Sequence, residues 1–312
     1  MANIICGVDV SSATLDAQVG RDGPFERFAN TAEGIEALAV FCRAHAVALV
    51  AMEATGGYEK QPFMLLWAQA IPAAIVNPRA VRQFAEGMGL LEKTDRIDAG
   101  AITWFAEVRH IVPCEPASAT QERLAVCVTR LRQLTELRTM QTNQRRLVSD
   151  PGVGQTFEEL LALIARQIRS LEAEIAELID GDPLWRKLDE TFRTIKGVAD
   201  RTVARLMAEL PEIGTLSNKA IAKLAGLAPL ARDSGKRTGR RAVRGGRSSI
   251  RAILFVVAEI VRRHNADFAA FHKRLSEAGK PKKVIRVALA HKLLVRLNAK
   301  ARETREAFAN AT

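Results

Sequence analysis

Five strand-length segments fall within the first 76 residues, and the spacing between them changes part-way along. Residues 4–10, 14–20 and 25–30 are separated by only three and four residues, which leaves room for tight turns alone. Residues 47–52 and 73–76 are almost wholly apolar, as strands covered on both faces are. Helix-length stretches flank them. Residues 33–45, with Ile35, Leu38, Ala39 and Phe41, have a helical period, and residues 60–70, 79–86 and 94–108 also read as helices. Three meandering strands followed by alternating helix and strand predict an α/β unit built on a mixed sheet.

Pro113 and Pro116 end that unit, and the pattern turns helical. Residues 118–149 carry Leu124, Val128, Leu131, Leu134, Leu137 and Met140 at steps of three or four. Asp150-Pro151-Gly152 is read as a break, after which residues 156–179 resume the period with Leu160, Leu163, Ile164, Ile168, Leu171, Ile175 and Leu178. The pair reads as an antiparallel helical hairpin, a coiled-coil element or part of an ordinary bundle. Residues 184–210, 218–227, 248–265, 269–278 and 283–300 are further helical stretches. Ile195-Lys196-Gly197-Val198-Ala199 resembles the turn of a helix-hairpin-helix element, with Ala199 where a second glycine is usual. Such a turn offers backbone N–H groups to a phosphate. Three domains are expected: 1–112 as α/β, 113–182 as helical hairpin, and 183–312 as a basic helical domain.

Several function classes are excluded early. No apolar run approaches the length of a membrane span, and the N-terminus lacks the pattern of a secretory signal. Cys6, Cys42, Cys114 and Cys127 form no C-x-x-C, so a zinc ribbon or disulfide framework is not expected and a reducing cytoplasm is. The five histidines form no zincin motif. Aromatic residues are 5% of the chain, too few for base-stacking platforms.

The net charge of +11 is unevenly spread. Residues 231–312 hold 21 Lys and Arg against 6 Asp and Glu, whereas residues 1–230 hold 25 against 29. The densest stretch contains Arg232, Lys236, Arg237, Arg240, Arg241, Arg244, Arg247 and Arg251, with four glycines among them. Clustered cations of this kind suit a nucleic-acid backbone, where each neutralised phosphate releases counterions. The same residues are also compatible with an ordinary solvated basic surface.

Four carboxylates occupy telling places. Asp9 lies near the end of the first apolar strand, where a lone charge is costly unless paired or ligating a metal. Glu53 directly follows residues 47–52. Asp95 and Asp98 are three apart on an expected helix and share a face. If the two strands are neighbours, all four converge at one sheet edge. Anionic oxygen donors in that number suit Mg²⁺ or Mn²⁺, and two such ions can clamp the attacking and leaving oxygens of a phosphodiester. Singly, each acid could equally be a cap or a turn residue.

The segments GVDVSSATLD, AMEATGGYE and INPRAVRQFAEGMGLLEKTDRIDAGAI, in that order, resemble the RuvC-like (RNase H-fold) domain of the DEDD transposases. These insertion-sequence recombinases are related to the Piv-type DNA invertases. FRTIKGVADRTVARLMAEL and KLAGLAPLARDSGKRTGRRAVRGGRSSIRAILF are similar to the second domain of the same family. The resemblance implies that Asp9, Glu53, Asp95 and Asp98 form an acidic tetrad for Mg²⁺ or Mn²⁺. It also implies that Ser234 is the nucleophile. Spacing alone does not choose Ser234 over Ser248 or Ser249, which are placed to cap the following helix. Tyr58 reads as a packing residue at the sheet edge. The family further implies a coiled-coil spacer, a homo-oligomer with composite active sites and, in some members, an element-encoded guide (bridge) RNA.

The expected function is therefore DNA transposition or recombination through a phosphoserine–DNA intermediate. A Piv-like invertase, a Holliday-junction resolvase and a non-catalytic nucleic-acid-binding protein with a relic fold are the competing readings.

Overall fold

The computed structural model describes residues 4–90, 95–231, 233–235, 239 and 241–311, with only the backbone of Asp95 and Arg96. The chain divides into two compact units, Met1–Ala117 and Ser118–Thr312.

The first unit is a five-stranded mixed sheet with helices on both faces. Its elements are β1 (Ile5–Val10), β2 (Thr14–Val19), β3 (Phe25–Ala29), α1 (Ala32–Ala44), β4 (Leu49–Glu53), α2 (Lys60–Ala68), β5 (Ala73–Val76), α3 (Pro78–Gly87) and α4 (Asp95–Val108). The strand order is β3-β2-β1-β4-β5. β1, β2 and β3 pair antiparallel, whereas β4 and β5 run parallel to β1. The short turns permit only the antiparallel pairs, and the helical crossovers permit the parallel ones.

Alternation along each strand sorts side chains to two cores. Cys6, Val8, Val10, Val50 and Met52 meet Ile35, Leu38 and Cys42 of α1 and Phe63 and Leu66 of α2. Ile5, Leu49, Ala51, Ala74 and Val76 face Val81 and Ala85 of α3 and Ile102, Phe105 and Ala106 of α4.

The close contact of α4 with β1 requires Gly7. A Cβ there would collide with the Ala99 carbonyl and the Thr103 amide and hydroxyl. Thr103 is fully buried. Its hydroxyl accepts from the Gly7 N–H at 2.8 Å and lies 3.0 Å from the carbonyl of Gln18, the ladder partner of Gly7. A helix side chain thus stands in for one rung between β1 and β2.

The second unit contains α5 (Ala119–Arg145), α6 (Pro151–Gly181), α7 (Pro183–Arg193), α8 (Asp200–Glu209), α9 (Asn218–Leu224), β6 (Pro229–Leu230), β7 (Ala242–Val243), α10 (Ser248–His264), α11 (Ala266–Glu277) and α12 (Lys282–Ala309). α5 and α6 pack side by side and share one continuous apolar core with the helices that follow.

Two local expectations are corrected. α6 begins at Pro151, not near residue 156. Asp150 caps it by accepting from Val153 N–H at 2.8 Å, and proline at the first helical position needs no N–H partner. Neither Ser248 nor Ser249 caps α10. The cap position is Arg247, with no side-chain bond to the helix N-terminus.

Candidate functional site

The acidic edge is built by strand register. Asp9 is the penultimate residue of β1, and Glu53 ends β4. Val8 pairs with Met52 in the parallel ladder, so Asp9 and Glu53 come next to each other on adjacent strands. Both are half-buried and lie on the face that α3 and α4 cover. Asp98 sits in the first turn of α4, one residue before the Ala99 contact with Gly7, and is also half-buried. A first-turn position at the positive end of a helix suits the negative charge of Asp98. Asp95 opens the helix, but its side chain lies outside the described residues.

Carboxylate oxygens from β1, β4 and α4 are hard donors, and their chemistry fits a divalent cation. Among the described residues, however, no three His, Cys, Asp or Glu side chains are gathered closely enough to enclose an ion.

The loop behind Glu53 is held by a second glutamate. Glu59, nearly buried, accepts through Oε2 from Thr55 N–H (3.0 Å), Thr55 Oγ1 (2.8 Å) and Gly57 N–H (2.8 Å). Burial pushes its carboxyl up. The hydrogen bonds from its own backbone, Thr55 and Gly57 outweigh that, leaving it below the usual glutamate range. Tyr58, between them, is largely exposed.

Sequence reading missed Asp16. It stands opposite Asp9 on β2, almost fully buried, and Arg27 on β3 donates to it through Nε at 2.6 Å. The alternation T-L-D-A-Q-V places Asp16 with Thr14 and Gln18 on one face, but only the docking of α4 closes that face.

In the second unit, β6 and β7 pair antiparallel and bracket the segment that carries Ser234. Ser234 is exposed and is followed by Gly235 at φ +53°. Asp233 closes the segment on itself. Its Oδ1 accepts from Gly239 N–H and its Oδ2 from Arg241 Nη2, each at 2.9 Å.

The basic stretch is less uniform than its composition suggests. Arg232, Lys236, Arg237 and Arg240 lie outside the described residues. Arg247 makes a two-point contact with Glu212, both bonds at 2.6 Å, and also donates to the Glu209 carbonyl. Burial raises the Glu212 carboxyl, but the Arg247 bonds prevail and hold it low. Arg251 donates to the Gly245 carbonyl at 2.6 Å. Arg244 is exposed. Four residues upstream of α8, Lys196 is also exposed. Gly197, at φ +103°, sits too close to the backbone of Val261 for a side chain to enter freely. Ala199 occupies the α8 cap position without a side-chain bond to the helix.

Two family models match the chain, and the first runs past the boundary between the two units to the end of α5. Residues 6–148 match a family model for DEDD transposases, described as "Transposase". Residues 189–273 match the model "Transposase IS116/IS110/IS902 family". The chain is also 26% identical to the pilin gene-inverting proteins of Moraxella bovis and of Moraxella lacunata. Each alignment covers 98% of both chains.

Proposed function

Since the chain belongs to the IS116/IS110/IS902 transposases, DEDD recombinases related to the Piv-type invertases, we propose that it breaks and rejoins DNA at a phosphoserine intermediate. The observation that carries this reading is the placement of Asp9 and Glu53 on adjacent parallel strands beneath the helix that brings Asp98. The sheet order β3-β2-β1-β4-β5 supports a RuvC-like assignment for the first unit.

Asp9, Glu53, Asp95 and Asp98 would hold Mg²⁺ or Mn²⁺, two ions on the family reading. Bound there, such ions neutralise charge on phosphate oxygens and lower the barrier to attack. The Ser234 oxygen forms a bond to phosphorus as the bond from phosphorus to the next nucleotide's oxygen breaks. The serine proton passes to solvent, and the released DNA oxygen takes one up. Attack by a DNA hydroxyl on the phosphoserine then frees the serine and joins the strands. Gly235 beside Ser234 adopts φ +53°, a backbone conformation that favours glycine.

The partners proposed are DNA, an element-encoded guide RNA and further copies of the chain. Exposed Val126, Met140, Leu147, Val153, Leu160 and Leu163 along the α5–α6 hairpin favour self-association. No helix among the described residues is long and apolar enough to cross a membrane. The curated relatives are named for inverting a pilin gene, which favours inversion of a fixed segment as the second reading.

The test is to incubate the full chain with element-end DNA, co-purified RNA and Mg²⁺, then look for covalent protein–DNA adducts. An adduct in wild type that vanishes in Ser234→Ala and in Asp9→Ala is the expected result. An adduct that persists in Ser234→Ala moves the nucleophile elsewhere. Cleavage without an adduct assigns a water-using nuclease instead. Substrates carrying inverted sites on one molecule separate inversion from transposition.

A further inference from the structure

The chain covers its aromatic side chains with one exception. All 12 Phe and 3 Trp are buried or half-buried, whereas Tyr58, the single tyrosine, is 55% exposed. A ring packed on the sheet edge would be covered, and this one is not. A lone exposed aliphatic residue needs no explanation. An aromatic ring left in water is different when the backbone beneath it is built to hold it there.

The loop of residues 54–59 is fastened at two points. Glu59 takes three hydrogen bonds from Thr55 and Gly57, just before the ring. Asn30 fastens the other side, its Nδ2 donating to the Tyr58 carbonyl at 3.3 Å and to the Ser11 carbonyl at 2.8 Å. Gly56 at φ +86° and Gly57 at φ +143° adopt conformations that other residues rarely enter, so the sequence specifies this turn.

These bonds also fix where the ring is. Ser11 follows Asp9 by two residues, and Tyr58 follows Glu53 by five. Asn30 thus ties the Tyr58 backbone to the strand that carries Asp9, and the loop ties it to the strand that carries Glu53. The exposed ring stands at the same sheet edge as both carboxylates. Lys60, exposed at the start of α2, adds a cation two residues further on. A side chain with two rotatable bonds on a braced loop loses little entropy when a flat partner covers it.

We propose that Tyr58 is a stacking site for one nucleobase of the DNA, next to the phosphate held at the acidic edge. The ring takes the face of the base and so sets the register of the strand against Asp9 and Glu53. Every base has a π-face, so the contact is indifferent to sequence. The inference rests on the reading of the acidic edge as the place of strand cleavage, and the test separates the two.

The experiment measures Kd by fluorescence anisotropy for element-end DNA on the full chain with its co-purified RNA, without added divalent cation so that no strand is cut. Abasic lesions are placed one at a time along each strand. In wild type one lesion, within about two nucleotides of the bond later cut in Mg²⁺, raises the Kd roughly tenfold, as the loss of a base–aromatic stack does. Tyr58→Ala raises the Kd for intact DNA by about the same factor, and the lesion then adds nothing, because both changes remove one contact. Tyr58→Phe keeps the ring and stays within about twofold of wild type.

A residue that only supports the loop would give additive effects. Additivity, the absence of any sensitive lesion, or a Tyr58→Phe protein as weak as Tyr58→Ala overturns the proposal. So does a Tyr58→Ala protein whose sedimentation changes while its lesion profile matches wild type, which assigns the ring to a contact between copies. Wild type that forms no adduct and makes no cut in Mg²⁺ overturns the reading of the acidic edge instead, and the lesion cycle still decides whether Tyr58 stacks.

Discussion

Glu59 gathers three donors on one oxygen, so its loss strands two backbone N–H groups beside Glu53. Glu59→Ala should lower unfolding stability by about 2 kcal/mol, the usual range for bonds to a charged acceptor, measured by urea denaturation. Because its folded-state carboxyl lies below the usual value, the contribution is complete above the unfolded value and is lost as pH falls through the folded one. The gap between wild type and variant should therefore close under acid and stay constant at neutral pH. Residues such as Asp9 and Glu53 could be picked out from the sequence because a charge bordering an apolar strand is conspicuous. Asp16 could not. A polar residue in an alternating strand normally faces water, and only a helix contributed about 80 residues later shuts that face. The capping role given to Ser248 or Ser249 failed for a related reason, since helix starts are fixed by backbone direction as much as by residue type.

The element that presents Ser234 is an arm pinned at its base by two residues of β6 and two of β7. Strands that short leave no periodicity, so the arm was invisible in the sequence, whereas every strand of the first sheet was foreseen to within two residues at either end. Asp233 is the arm's internal fastening, with bonds to Gly239 and Arg241. Asp233→Ala should slow adduct formation by about 10-fold or more by disordering the nucleophile, while Mn²⁺ binding to the acidic edge stays as in wild type. Single-turnover kinetics beside a Mn²⁺ titration check both. The α5–α6 hairpin was legible from its leucine and isoleucine steps, except at Pro151. There a residue known for ending helices instead begins one.

At the scale of the whole molecule the charge is split, with the excess of cations carried by residues 231–312. Eight basic residues between 232 and 251 do not translate into eight phosphate contacts. Arg247 is committed to Glu212 and Arg251 to the Gly245 carbonyl, whereas Arg244 is exposed. Arg244→Gln should reduce the slope of log K against log salt for duplex DNA by about 0.9, the loss of one phosphate contact. Arg247→Gln should leave that slope nearly unchanged and lower the urea midpoint instead, because Glu212 loses its partner. Fluorescence anisotropy across a salt series, paired with denaturation, distinguishes the two. The Thr103 hydroxyl carries a different consequence. By occupying a rung between Gly7 and Gln18, it makes α4 a participant in the sheet rather than a cover upon it. The helix cannot slip along its groove by a turn without unzipping the strands that hold Asp9. The carboxylates of sheet and helix are therefore geared together, and their spacing is inherited from folding itself rather than adjusted afterwards.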